Sequence, residues 1–261
     1  MAAVRVDAGR VTTITMSRPE VLNAGDRALL TELLAAIEDA GSDPSARVLV
    51  LTGAGRGFCA GADLSAGAWA PGELPMGEAV GWILEHGWNP IVRALLACPK
   101  PTIAAVNGVA AGGGVGLALA CDVVVAAESA SFVEVFGPQL AAIPDVGSTW
   151  FLTHLVGPAR ARGMSLLGER IPARQAAEWG LIWKAVPDIR LVDEVGRVAE
   201  RLARLDPHIA PAIRAALSEA GTATLDETLD RERDIQRRLA GRPAFAEGVA
   251  AFLEKRPPRF H

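Results

Sequence analysis

Two stretches of this chain are nearly bare of side chain where the surrounding residues give them chemical use. The first, from Thr52 to Leu64, consists largely of glycine and alanine and follows the apolar run Arg47–Thr52, which reads as a strand buried on both faces. A backbone this unshielded lets amide N–H groups approach a ligand closely, as main-chain stabilisation of an anion requires. A tight structural turn is the other reading of the same residues. The second stretch, from Gly108 to Gly116, follows the apolar run Thr102–Val106 and contains the triple glycine Gly112–Gly114 at the start of a small-residue helix. Free amides at a helix start and the positive end of its dipole converge on one point, which is again an anion site.

A dinucleotide pyrophosphate is a second candidate for such a turn. However, the G-x-G-x-x-G spacing is not convincing, an acidic residue at a suitable distance is lacking, and no Walker lysine is present. Two bare loops, each following a parallel strand, would meet at the carboxyl edge of a sheet, where open α/β sheets bind ligands. Their pairing points to an oxyanion hole.

The elements that must position these loops are legible. Val4–Val6 and Val11–Met16 read as an opening hairpin, and residues 31–40 have helical apolar spacing. Arg47–Thr52, Thr102–Val106 and Val123–Ala127 alternate with helices, which predicts a mostly parallel sheet. Gly77–Ala97 reads as one long helix that Pro90 must kink or divide. From Ser148 onward the pattern turns helical, with segments at 149–155, 158–167, 172–179, 191–205, 207–220, 224–239 and 243–254, several of them opening with proline.

Composition narrows the function classes. The 261 residues carry a net charge of −4, which argues against nucleic acid as a partner. Cys59, Cys98 and Cys121 are far apart, and His154, His208 and His261 have no metal-ligand spacing, so neither a disulfide framework nor a metal is expected. The apolar stretch Thr102–Ala127 is interrupted by Asn107, glycines and Asp122, so no membrane span is expected; with no secretory pattern at the start, a cytoplasmic location is expected.

At several places the chain resembles the crotonase, or enoyl-CoA hydratase/isomerase, superfamily. These are Arg18–Ala24, Phe58–Leu64, Lys100-Pro101 through Asn107-Gly108 to the triple glycine, Ile143–Ser148, Ala176–Ile182 and Phe245–Lys255, in matching order and spacing. The resemblance implies an α/β crotonase spiral of ββα units over residues 1–200, followed by a helical C-terminal trimerisation region over 201–261. It implies oxyanion donors at the amides of Ala62 and Gly113, which grip the thioester oxygen of an acyl-CoA and stabilise its enolate. It places coenzyme A against Leu22, Ala24 and the loop Ala60, Gly61, Asp63 and Leu64, with Lys255 and Phe260 of a C-terminal helix closing over the nucleotide of a neighbouring subunit. The assembly it implies is a homotrimer or a dimer of trimers, and coenzyme A enters only as part of the substrate, with no permanently bound cofactor.

The acid–base groups depart from the hydratases of this superfamily, which use two glutamates. Gly116 stands where the first belongs and can neither hold a proton nor position water. The stretch Phe132–Pro138 is about one residue longer than the family pattern, which leaves Phe136 near the second position. Glu134 is then a secondary candidate, with an exposed strand-end glutamate as the reading expected of it. Asp145, in Pro-Asp-x-Gly, resembles the acyl-facing aspartate of isomerase and dehalogenase branches; a helix N-cap is its alternative role. Glu85 or His86, near Trp82 and Trp88, would add a further polar group. Double-bond isomerisation through Asp145 is therefore expected ahead of hydration through Glu134 and Asp145, and a catalytically silent acyl-CoA binder is the alternative of another class.

Overall fold

The computed structural model describes residues 2–64, 72 and 74–260. Residues 65–71 and 73 lie outside those described, as do Met1 and His261. Among the described residues, ten strands form two sheets. The larger contains β1 (Val4–Asp7), β2 (Val11–Met16), β3 (Val48–Gly53), β5 (Thr102–Val106), β7 (Val123–Ala127) and β10 (Lys184–Val186), in that spatial order. All its pairings are parallel except the opening hairpin of β1 and β2. The smaller contains β4 (Gly57–Cys59), β6 (Val109–Ala111), β8 (Ser131–Val133) and β9 (Ile171–Pro172). Each central strand of the first sheet is followed by a short strand of the second, giving the pairs β3/β4, β5/β6 and β7/β8. This repeat is the crotonase spiral.

β3, β5 and β7 are buried along nearly their whole length, since α1 (Arg27–Ser42) and α7 (Leu191–Leu202) pack against the larger sheet. α4 (Gly113–Leu119) is buried at every residue, and its small side chains let strand and helix backbones approach. The stretch expected as one helix is divided. α2 (Met76–Ile83) passes through a π-helical turn at Leu84–Trp88 into α3 (Asn89–Ala97), with Pro90 in the first turn of α3, where its missing N–H costs little. α5 (Ser148–Leu167) likewise bends at Gly157, φ 76°, just before Pro158.

α6 (Ala173–Glu178) and α7 complete the part that surrounds the core; α8 (Ile209–Ala220), α9 (Leu225–Ala240) and α10 (Pro243–Leu253) follow. Beyond Asp206, Ala251 is the one buried residue among those described. Arginines fasten this region to the core. Arg10 and Arg47 donate to the carbonyls of Ala203 and Leu205, and Arg214 of α8 donates to the carbonyls of Leu96, Cys98 and Lys100 and to both oxygens of Asp122. Arg214→Ala therefore loosens α8 and costs about 2–3 kcal/mol, because several charge-assisted bonds vanish together and three carbonyls lose their donor. Hydrogen exchange along α8, with a thermal melt, measures this; unchanged protection in the variant contradicts it.

Candidate active site

The site begins with the two bare loops. The first is held by asparagines. Asn23, fully buried with φ 57°, donates through Nδ2 to the carbonyls of Ala54, Gly57 and Phe58 and accepts from the amide of Arg18. Asn107 donates to the carbonyls of Gly55 and Gly57 and accepts from Gly53 N at 3.2 Å. Arg18 bonds Ala24 O and forms ion pairs with Asp26 at 3.2 Å and Asp63 at 2.9 Å. The Asp63 side chain is thereby engaged in joining the 18–26 and 60–64 segments. Leu22, Ala24, Ala60 and Gly61 are brought together, with Ala60 N donating to Leu22 O and Gly25 N to Gly61 O. Leu64, at the rim of this group, is exposed.

The second loop reaches the first at Gly61. A Cβ on Gly61, φ 87°, would stand 3.2 Å from the amide nitrogen of Gly113 and 3.0 Å from Ala111 O. In the bridge between Gly25 and Ala62, Gly25 N donates to Gly61 O and Gly25 O accepts from Asp63 N, which skips the Ala62 amide. Gly113 opens α4 after Gly112, φ 50°, so its amide has no intrahelical acceptor. Neither amide is taken by a protein acceptor among the described residues. The resulting pair of unpaired main-chain donors, one beside a helix N-terminus, is suited to a single negatively charged oxygen.

Three side chains wall this point. Trp88, buried at the end of the π turn, faces Gly25 and approaches Gly113, while Val146 Cγ2 would lie 2.9 Å from a Cβ on Gly113. Phe136 packs beside Gly112. Its π-helical turn, Phe136–Leu140, takes up the extra residue of this stretch, since a π turn closes over one more residue than an α turn.

The carboxylates differ from expectation. Glu134 is not an exposed strand-end residue: it is 0% exposed, and neither carboxyl oxygen has a hydrogen-bond partner. The apolar ends of β6 and β8 draw it inside, since Gly112 N bonds Val133 O immediately before it. Burial first, and the charge of Asp145 to a lesser degree, push Glu134 up to about 8; the nearby Ser148 hydroxyl, itself buried and without a well-formed bond, offsets part of this. Asp145 is half-buried, and burial pushes it up to about 6. It is not the N-cap of α5, which is Gly147. Glu85 and His86 face outward, with His86 stacked on Trp82.

Gly116 has a structural reason. Val146 adopts φ 52°, and its carbonyl would be 2.2 Å from a Cβ at position 116, so no carboxylate fits there without moving the 143–147 segment. Val146 and Ser148 were not legible as site residues, because nothing in Pro-Asp-Val-Gly-Ser announces a left-handed valine. Lys255 and Phe260 sit with the C-terminal helices, Phe260 lining a cavity of about 330 Å³ with Phe245, Val249 and Leu253 of α10. Within one chain the structure does not bring them to the two loops by any contact it records.

Two unpaired main-chain amides thus lie in a wall of apolar side chains, with a buried and a half-buried carboxyl on the elements that follow. Residues 7–261 match the family model of enoyl-CoA hydratase/isomerase. The chain is 48% identical to the 1,2-epoxyphenylacetyl-CoA isomerase of Escherichia coli K12, over 96% of this chain and 94% of that one. It is 38% identical to the 2,3-dehydroadipyl-CoA hydratase of the same organism, over 96% and 95%. The crystal structure of an enoyl-CoA hydratase from Polaromonas superposes with a TM-score of 0.88 at 33% identity, covering 99% of each chain. The chain belongs to the enoyl-CoA hydratase/isomerase family.

Gly61→Ala is expected to lower kcat/KM by at least ~100-fold, since the added methyl crowds the Gly113 amide and removing one oxyanion donor costs that much. Steady-state kinetics on acyl-CoA thioesters, beside a thermal melt showing a folded variant, check this; near-normal turnover contradicts it.

Proposed function

We propose that this enzyme is an acyl-CoA isomerase that moves a proton between carbons of the acyl chain. The thioester oxygen sits between the amides of Ala62 and Gly113, and Asp145, ionised at neutral pH, takes the proton from the carbon that this polarisation acidifies. The electron pair rests on the enolate oxygen until the proton returns at another carbon, restoring the thioester with its double bond shifted. Each preorganised donor lowers the barrier by about 3 kcal/mol, and the acid–base group contributes roughly 10²–10⁴-fold. The observation that carries this reading is Gly116 beneath the Val146 carbonyl, which removes the hydratase position while leaving an ionised Asp145 close by. The 48% identical isomerase supports it.

Coenzyme A in this reading lies along Leu22, Ala24, Ala60, Gly61, Asp63 and Leu64, with Lys255 and Phe260 supplied by a neighbouring subunit. Exposed apolar residues of α8 to α10, among them Leu217, Phe252 and Leu253, support a trimer built on residues 201–261, or a dimer of two trimers. No described helix is long and apolar enough to cross a membrane, and the cytoplasm remains the proposed location.

Hydration is the second reading, favoured by the presence of two carboxyl groups, the fully buried Glu134 and the half-buried Asp145, whose charge helps to raise Glu134. Incubating the enzyme with 3-enoyl-CoA and 2-enoyl-CoA thioesters of several lengths separates the two, because only isomerisation interconverts them without forming 3-hydroxyacyl-CoA. For the wild type, kcat/KM for isomerisation should rise with pH through about 6, as Asp145 loses its proton and becomes a base. Asp145→Asn should lose roughly 10²–10⁴-fold. Hydroxyacyl product in place of positional isomers reverses the order of the readings, and undiminished turnover in Asp145→Asn removes that residue from the mechanism.

A further inference from the structure

The Glu134 carboxyl is unexplained by the proton transfer just described. It is completely buried, and an apolar side chain would fill the same space without stranding two oxygens. The polar groups that face it are few. Asp145 approaches from the 143–147 segment and Ser148 from the first turn of α5, and the Ser148 hydroxyl is stranded in the same way. Arg170, just before β9, is committed to Ser131 Oγ on β8 at 2.9 Å. No cation among the described residues pairs with Glu134. The backbone carbonyl of Glu134 faces Gly168, the left-handed residue that ends α5, so the residue is fixed at both ends of its packing environment.

We propose that Glu134 is a positioning residue that acts through Asp145: held uncharged behind it, Glu134 lets Asp145 carry a negative charge with no like charge beside it, and ionisation of Glu134 switches turnover off. The inference rests on the reading of Asp145 as the base. With no counterion, and only the Ser148 hydroxyl near enough to offset part of the cost of burial, a carboxylate at position 134 is disfavoured, so the neutral acid is the resting form and Asp145 ionises first. The order of proton loss follows from the surroundings. Asp145 is raised by its own burial and feels no charge from Glu134, because Glu134 is still neutral when Asp145 titrates; Glu134, which titrates later, does feel Asp145. Once Glu134 also ionises, a second negative charge, itself sealed from solvent, opposes formation of the enolate, whose own charge must develop nearby.

The test is the alkaline limb of the pH–rate profile, measured on the 3-enoyl-CoA that the wild type isomerises fastest and normalised to each protein's own plateau. In the wild type, kcat/KM should fall above about 8, losing roughly tenfold per pH unit. Glu134→Gln, which keeps the shape but cannot ionise, should abolish the fall. Ser148→Ala should move it to higher pH, because the hydroxyl that favours the ionised form is gone. A purely structural role for Glu134 would lower the whole profile and leave the limb where it is. A wild-type profile without an alkaline limb overturns the inference, as does a limb that stays in place in whichever of the two variants folds. Those outcomes are distinct from failure of the base assignment itself, which an active Asp145→Asn would reveal while saying nothing about the limb.

Discussion

Residue 61 comes so close to residue 113 that a methyl group on it would crowd the 113 amide, and most of the surrounding structure serves this approach. A Cβ on Gly61 would meet the Gly113 amide, a Cβ on Gly113 would meet Val146, and one on Gly114 would stand 2.1 Å from Cys59 O. Backbone brought this near without side chains gives up packing area, and the loss is offset by hydrogen bonds from residues some distance away. Asn23 and Asn107 bond carbonyls of the 54–58 turn, and Arg18 ties the 18–26 segment to the end of the first loop through Asp63. A polar side chain buried for this purpose contributes about 1 kcal/mol per bond formed but costs 1–3 kcal/mol for each one left unmade. The network is therefore intolerant of partial loss.

The departure at Gly116 and the conformation of Val146 are one feature seen from two sides. A β-branched residue with positive φ costs of order 1–3 kcal/mol and persists only where its surroundings hold it. Here Val146 turns its carbonyl onto Gly116 and its side chain toward Gly113. The same turn sets Asp145 ahead of α5, where Ser148 N bonds its carbonyl and its carboxyl is left free of capping duty. The backbone that excludes a glutamate from position 116 thus presents an aspartate in its place. Restoring a glutamate at 116 alone would set its side chain against this backbone, so the two positions can only change together.

Much of this was legible in the sequence, and the reasons differ by level. The continuous apolar runs at 48–52, 102–106 and 123–127 could belong only to strands buried on both faces, and the proline and glycine boundaries of α5 to α10 located those helices to within a few residues. The bare loops could be recognised because an absence of side chains is itself visible in a sequence. The second sheet was not predicted: its strands are two or three residues long, too short for any periodicity to register. The π turns were also invisible, one hidden behind Pro90 and the other behind a one-residue excess whose structural form a sequence does not specify. Glu134 was misjudged because burial of a charged residue depends on what the neighbouring strands cover, and its own type argued for exposure.

In water a glutamate and an aspartate differ in acidity by about half a unit, and here their surroundings set them apart by far more. Both are raised chiefly by desolvation, to about 8 for Glu134 and about 6 for Asp145, and the difference follows depth: one is sealed from solvent, the other half-open to it. An ion pair would have set such a difference by lowering one group, but neither carboxyl is joined to a cation among the described residues. Desolvation is a property of the walls, so the side chains that cover the two carboxyls govern the charge of this site as much as its shape. A wall residue that admits water would lower both carboxyls together and narrow the gap between them, since hydration favours the charged form of each and the more deeply buried group has more to regain.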